Sequence, residues 1–168
     1  STLTAAASPT RGVCFGLGTT SAAGYGFGIG MITFSSTGNT VDFGEGVCGF
    51  AKCAAGSNTV RAIIAGRQGP ASAYRGEQIQ KFNMASGGNA ISFGELTASR
   101  SPGLSAITNG TRAVWGGGRT GPPASEALKD TMDYIEIPTL GNAVDFGNLI
   151  APVRYNSGFS NTNGGVQG

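Results

Sequence analysis

Gly38-Asn39-Thr40-Val41-Asp42-Phe43-Gly44 returns as Gly88-Asn89-Ala90-Ile91-Ser92-Phe93-Gly94 and again as Gly141-Asn142-Ala143-Val144-Asp145-Phe146-Gly147, at steps of 50 and 53 residues. A second phrase keeps the same beat: Arg11-Gly12-Val13-Cys14-Phe15, Arg61-Ala62-Ile63-Ile64-Ala65 and Arg112-Ala113-Val114-Trp115-Gly116. Self-similarity at a fixed period near fifty is the mark of stacked supersecondary units, none of which can bury its own apolar faces alone. The chain is therefore expected to be one repeat domain over residues 1–168, with units at about 1–46, 47–96 and 97–149 and a surplus segment over 150–168.

Each unit reads as four antiparallel strands. In the third, residues 103–108 form a strand-sized run that ends at Asn109-Gly110, the pair favoured in a two-residue type I′ hairpin because both positions need φ > 0. Further strands are expected over 112–116, 132–137 and, after the Gly141-Asn142 turn, 143–146. Helical periodicity is nearly absent, its best stretch being the short 125–131. Phe43, Phe93 and Phe146 hold the same place in each unit and are the expected packing residues between units, with Trp115 and Tyr134 beside them. Asp-Phe-Gly in two copies also spells a kinase motif, but no nucleotide-binding glycine loop, strand lysine or catalytic loop accompanies it.

Composition narrows the chemistry. Thirty glycines and a charged fraction of 12% indicate tight turns and close backbone packing. Histidine is missing, which removes the commonest general base and the commonest zinc or copper ligand together. Cys14, Cys48 and Cys53 are odd in number and lack a framework spacing, so they read as small buried hydrophobes. The nine acids are scattered, and Asp42 and Asp145 sit in turn phrases where hydrogen bonding to the backbone explains them. No activated nucleophile can be assembled, so neither an enzyme nor a cofactor is expected. A net charge of +2 without clustered Lys and Arg argues against nucleic acid. No apolar run approaches the ~20 residues of a membrane span and no basic-then-apolar leader opens the sequence, so a soluble chain without membrane insertion is expected.

Taken in order, residues 96–117 resemble a Kelch repeat: a basic residue (Arg100), a strand, a turn, and a second strand closing on Gly116-Gly117. Tyr134 takes the aromatic place on the third strand and Phe146 that on the fourth, where Trp is more usual. The Gly-Asn-Ala-x-Asp-Phe-Gly variant is similar to the Kelch-like repeats of tailed-bacteriophage virion proteins. The resemblance implies an all-β fold of Kelch-like β-propeller blades, three four-stranded antiparallel repeats per chain, and a structural role on a phage particle as capsid decoration, tail or fibre component. It departs from the pattern in units one and two, where the double glycine is lost. Kelch-type copper oxidases need a histidine at their metal, so that activity is excluded here.

The two ends of the repeat do not match. Unit one passes from Ser8-Pro9 straight to Thr10-Arg11, and against unit three it lacks about eight residues corresponding to a first strand and its turn. Residues 153–164 read as a first strand with its own Asn163-Gly164 turn. Three blades are fewer than the ~4–8 that close a propeller. The tail, through Arg154, Tyr155 and Phe159, is thus expected to complete the first blade of another copy by pairing with the strand at 11–16, giving a two-copy ring or a filament. The other reading is that the sequence is part of a longer propeller.

Lys52, Arg100 and Arg154 recur before or within the first strand of a blade. In propellers that resemble this one, basic residues near that position point to the channel mouth and bind acidic ligands; the competing role is a hydrogen bond to loop carbonyls between blades. Arg67 and Arg119 form a second repeated pair with the same two readings. Tyr25, Tyr74 and Arg75 lie on the variable connections, where binding collects on rigid scaffolds. Expected partners are other copies of the chain and other virion proteins at the particle surface. The alternative is an extracellular adhesin that binds a host glycan or receptor, and a third reading is a cellular Kelch protein-interaction module.

Overall fold

The computed structural model describes residues 4–17, 26–50, 52–66, 76–100, 103–120, 125 and 127–159. Short apolar runs cut by Gly, Asn and Ser turns build three antiparallel sheets. The first has the order β1 (Thr4–Ala7), β2 (Arg11–Leu17), β3 (Gly26–Thr33), β4 (Val41–Phe50). The second repeats it with β5 (Ala54–Ser57), β6 (Arg61–Ala65), β7 (Gln78–Asn83) and β8 (Ile91–Glu95). In the third, β9 (Leu104–Thr108), β10 (Arg112–Gly117), β12 (Ala127–Glu136) and β13 (Val144–Val153) take the same places, and the two-residue β11 (Arg119–Thr120) pairs with the start of β12, making five strands. The outermost strands β4 and β13 run well past the expected limits of their units. Residues with residual helical periodicity fall mostly in β12, and no α-helix occurs among the described residues.

The turn at Asn109-Gly110 is where it was expected but is not type I′, since neither residue has a positive φ. Asn109 Oδ1 instead accepts from the N–H groups of Thr111 (3.0 Å) and Arg112 (2.7 Å), substituting a side-chain carbonyl for the backbone one. Asn58 does the same for Val60 and Arg61, and Ser8 Oγ accepts from Arg11 N–H at 3.1 Å.

That last turn corrects the reading of the N-terminus. The first sheet does not lack its first strand: β1 pairs with β2 from Thr4↔Phe15 to Ala7↔Gly12. Leu3-Thr4-Ala5 resembles Leu96-Thr97-Ala98 in sequence, but Thr4–Ala7 occupies the place of Ala54–Ser57, which is equally short. The strand at 11–16 is therefore held by β1 on one side and β3 on the other, and offers no edge to a foreign strand. The described part of the tail stays with its own sheet, and residues 160–164 lie outside the described residues. Tyr155 N–H donates to Gly103 O (2.9 Å) and Asn156 Nδ2 to Ser105 Oγ (2.7 Å), so residues 154–159 run beside β9.

Strict alternation on β6 shows how the sheets stack. Ala62 and Ile64 face the first sheet, in a core with Val13, Phe15, Phe43 and Phe82. Ile63 and Ala65 face the third, in a core with Phe93, Leu104, Trp115 and Ile135. Each fully buried side chain of this size contributes roughly 1.5–3 kcal/mol, so the two inter-sheet cores carry most of the stability.

Polar contacts repeat across both boundaries in the same register. Gly88 N–H donates to Phe43 O (2.9 Å) and Gly141 N–H to Phe93 O (3.3 Å). Asn89 Oδ1 accepts from Glu45 N–H (3.0 Å) and Asn142 Oδ1 from Glu95 N–H (3.1 Å). Arg11 Nη1 donates to Met84 O and Ala85 O at 2.9 and 2.5 Å; Arg61 Nη1 donates to Ile137 O and Pro138 O at 2.9 and 2.8 Å. Glycine at 44 is required by this approach, because a Cβ there would sit 2.5 Å from Gly88 O.

Phe43 and Phe93 are buried, as the repeat leads one to expect, and so is Trp115. Phe146 and Tyr134 are not. Phe146 is 49% exposed, and Tyr134 is half-buried, edge-on to it at 5.8 Å. The reason is positional: Phe43 and Phe93 each have a following sheet packed on them, and among the described residues the third sheet has none.

Candidate functional site

The titratable groups that are buried are committed to structure. Arg100 and Asp133, both buried, form an ion pair, and Arg100 also donates to Thr131 O and to Gly117 O at 3.3 Å. Asp133 accepts further from Thr97 Oγ1 (2.6 Å) and Thr97 N–H (3.2 Å). Arg100 therefore holds strand carbonyls within its own sheet and the carboxylate of Asp133, a role that neither sequence reading named, since one placed it at a ligand and the other on loop carbonyls between blades. Asp42 and Asp145 accept from the N–H groups of Gly44 (3.2 Å) and Gly147 (3.0 Å), the turn role expected of them.

Cys14, Cys48 and Cys53 are free thiols; Cys48 is buried as expected, whereas Cys14 and Cys53 are half-buried. Burial pushes Cys53 up to about 12, with the neighbouring Cys48 adding to the rise and a backbone hydrogen bond opposing it. Such a thiol stays protonated at neutral pH and is a poor nucleophile and metal ligand. Cys53 should accordingly resist iodoacetamide at pH 8 in the folded chain and react once urea unfolds it; labelling followed by peptide mass spectrometry reads this directly. Rapid native labelling would contradict the raised pKa.

The remaining sequence candidates do not come together. Lys52 stands in the left-handed region (φ 54°) just before β5. Arg154 is exposed and stacks 5.5 Å over the ring of Tyr155, itself left-handed (φ 57°). Tyr25, Tyr74, Arg75 and Arg67 lie outside the described residues. Arg119 sits in β11.

What the fold leaves open is its two ends and the groove between them. At the front of the first sheet Phe34 is 54% exposed, although its counterparts Met84 and Ile137 are buried to 1% and 0%. At the back of the third sheet a groove of about 470 Å³ is lined by Ile107, Val114, Phe146 and Phe159. A second apolar groove, about 400 Å³, runs along the inner strands and meets Ile32, Phe34 and, again, Phe159. Sequence reasoning singled out Phe159 for a strand exchange; the structure puts it where both grooves meet. It gave no role to the arginines at 11, 61 and 112 or the asparagines at 39, 89 and 142, although their recurrence in the two quoted phrases was the available signal.

This arrangement of sheets has a precedent. The chain is similar in fold to YjhT. That solved structure superposes with a TM-score of 0.66 at 12% identity over 90% of this chain, and this chain spans about half, 53%, of its length. No protein-family model and no curated protein matches. The likeness to YjhT concerns the fold alone.

Proposed function

We propose that the three sheets are Kelch-like propeller blades and that the chain is a non-enzymatic structural protein of a tailed-phage particle, working through assembly. One observation carries the assembly part: the faces that end the stack display, half exposed, the side chains that the repeat buries everywhere else. A chain whose apolar end faces are left uncovered invites a protein partner. The fully buried acid is neutralised by Arg100, and the grooves are open and lined largely by apolar side chains, which suits docking better than catalysis. The particle assignment rests on the Gly-Asn-Ala-x-Asp-Phe-Gly form of the repeat.

An antibody raised against the purified chain should label intact phage particles from the same source in electron micrographs. Unlabelled particles, together with specific binding of the chain on a glycan array, would replace this reading by that of an adhesin.

A further inference from the structure

We propose that the back of the third sheet receives the front of the first sheet of a second copy, so that two chains close head to tail into one ring of six sheets. The inference deepens the assembly reading above and rests on it. It starts from the two boundaries inside the chain, which use one set of contacts twice. Carried one step further, that set predicts each contact of a third boundary, and the required groups are present on the two ends.

At the back end, Phe146 and Asn148 stand where Phe43 and Glu45, and Phe93 and Glu95, stand in the earlier units. Phe43 O and Phe93 O each accept from the following sheet, as do the carbonyls of Glu45 and Glu95, from Ala90 (2.7 Å) and Ala143 (2.8 Å). Phe146 O and Asn148 O receive no such bond among the described residues. An added Cβ at Gly147 meets nothing within 4 Å, whereas at Gly94 it would collide with Gly141 O.

At the front end, Gly38, Asn39 and Thr40 stand where Gly88-Asn89-Ala90 and Gly141-Asn142-Ala143 do. Thr40 is exposed, whereas its counterparts Ala90 and Ala143 are buried. Docking would bring Asn39 Oδ1 to Asn148 N–H, Gly38 N–H to Phe146 O and Thr40 N–H to Asn148 O. Ile32 and Phe34 would enter the groove lined by Val114 and Phe146, as Phe82 and Met84 enter the one beside Phe43. Arg112, held through Nε on Glu136 at 2.6 Å, would turn its Nη groups to the carbonyls of Phe34 and Ser35, as Arg11 and Arg61 do at their boundaries.

Two considerations favour a second copy closing a ring. The chain spans 53% of a single structure of similar fold, so two copies supply about the length of one such molecule. A head-to-tail contact that closes after two steps leaves no open face and has two-fold symmetry. The incoming β1 takes the place beside β9 that residues 154–159 hold in the free chain, so the tail competes with the contact and does not make it.

Sedimentation velocity on the full chain at micromolar concentration should show a species of twice the chain mass. Asn39→Ala and Phe146→Asp should each weaken the pair by at least ~10-fold, and Val60→Ser, at an exposed hairpin away from both ends, should not. Ending the chain at Val153 should leave the pair at least as tight. Asn39 and Phe146 are both at the surface of the single chain, and circular dichroism verifies that the variants fold. A monomer at all concentrations, an open polymer, indifference to Phe146→Asp, or loss of pairing on truncation would each overturn the proposal. A monomer that still labels phage particles defeats this pairing and leaves the particle role standing; a dimer of the expected sensitivities that labels none does the reverse.

Discussion

Phe93→Ala should cost about 3–5 kcal/mol of folding stability, and Phe146→Ala, at the equivalent place in the repeat, about 1 kcal/mol or less in chain dilute enough to be monomeric. The residue type, strand position and sequence phrase are the same, so the difference isolates the neighbouring sheet. Phe93 is 5% exposed in the core shared with Ala143, Ile135 and Trp115. Removing its ring leaves a cavity that two pleated sheets cannot close without shifting register. Phe146 is 49% exposed and touches Tyr134 edge-on, so about half of what its truncation removes is already solvated. Urea titrations of both variants against the parent chain decide the matter. Equal losses would mean that the end face is covered even in the single chain.

Arg100→Met should be the second large effect, about 3–5 kcal/mol, because it leaves Asp133 as an uncompensated charge with no exposed surface. Arg100→Met combined with Asp133→Leu should recover more than half of that loss, since an apolar pair needs no neutralisation. Full recovery is not expected. Thr97 N–H and Oγ1 would lose their acceptor, and the carbonyls of Gly117 and Thr131 their donor. A double variant as unstable as the single one would show that the hydrogen bonds, and not the charge balance, hold this corner.

The repeat was legible because stacking imposes it. Phe43 and Phe93 recur since each must fill the same gap, and Gly44 and Gly94 since the next sheet approaches too closely for a Cβ. The all-β class and the three antiparallel units followed from that period. What the repeat could not show is where it stops being satisfied. Phe146 has the sequence of a buried residue and the surroundings of a surface one, because burial there depends on a following sheet and none is present among the described residues. The short first strand was missed for a different reason: Ala5, Ala6 and Ala7 carry no pattern, and β1 is fixed by its pairing to β2, a contact invisible along the sequence. Arg100 was ambiguous for a third. A basic residue before a strand reads the same whether it meets solvent or Asp133, 33 positions away, and only the fold brings that carboxylate to it.

Trp115 is the single tryptophan of the chain, with no exposed surface, and its indole N–H donates to Ala54 O at 3.2 Å across the boundary between the second and third sheets. Its fluorescence therefore reports the parting of one boundary and is blind to the other, whose core is built on Phe15, Phe43 and Phe82. In a stack whose members touch nearest neighbours alone, melting can proceed member by member. Comparing the tryptophan signal with the backbone signal on the same sample measures whether the three sheets come apart as one cooperative body or as an unzipping row.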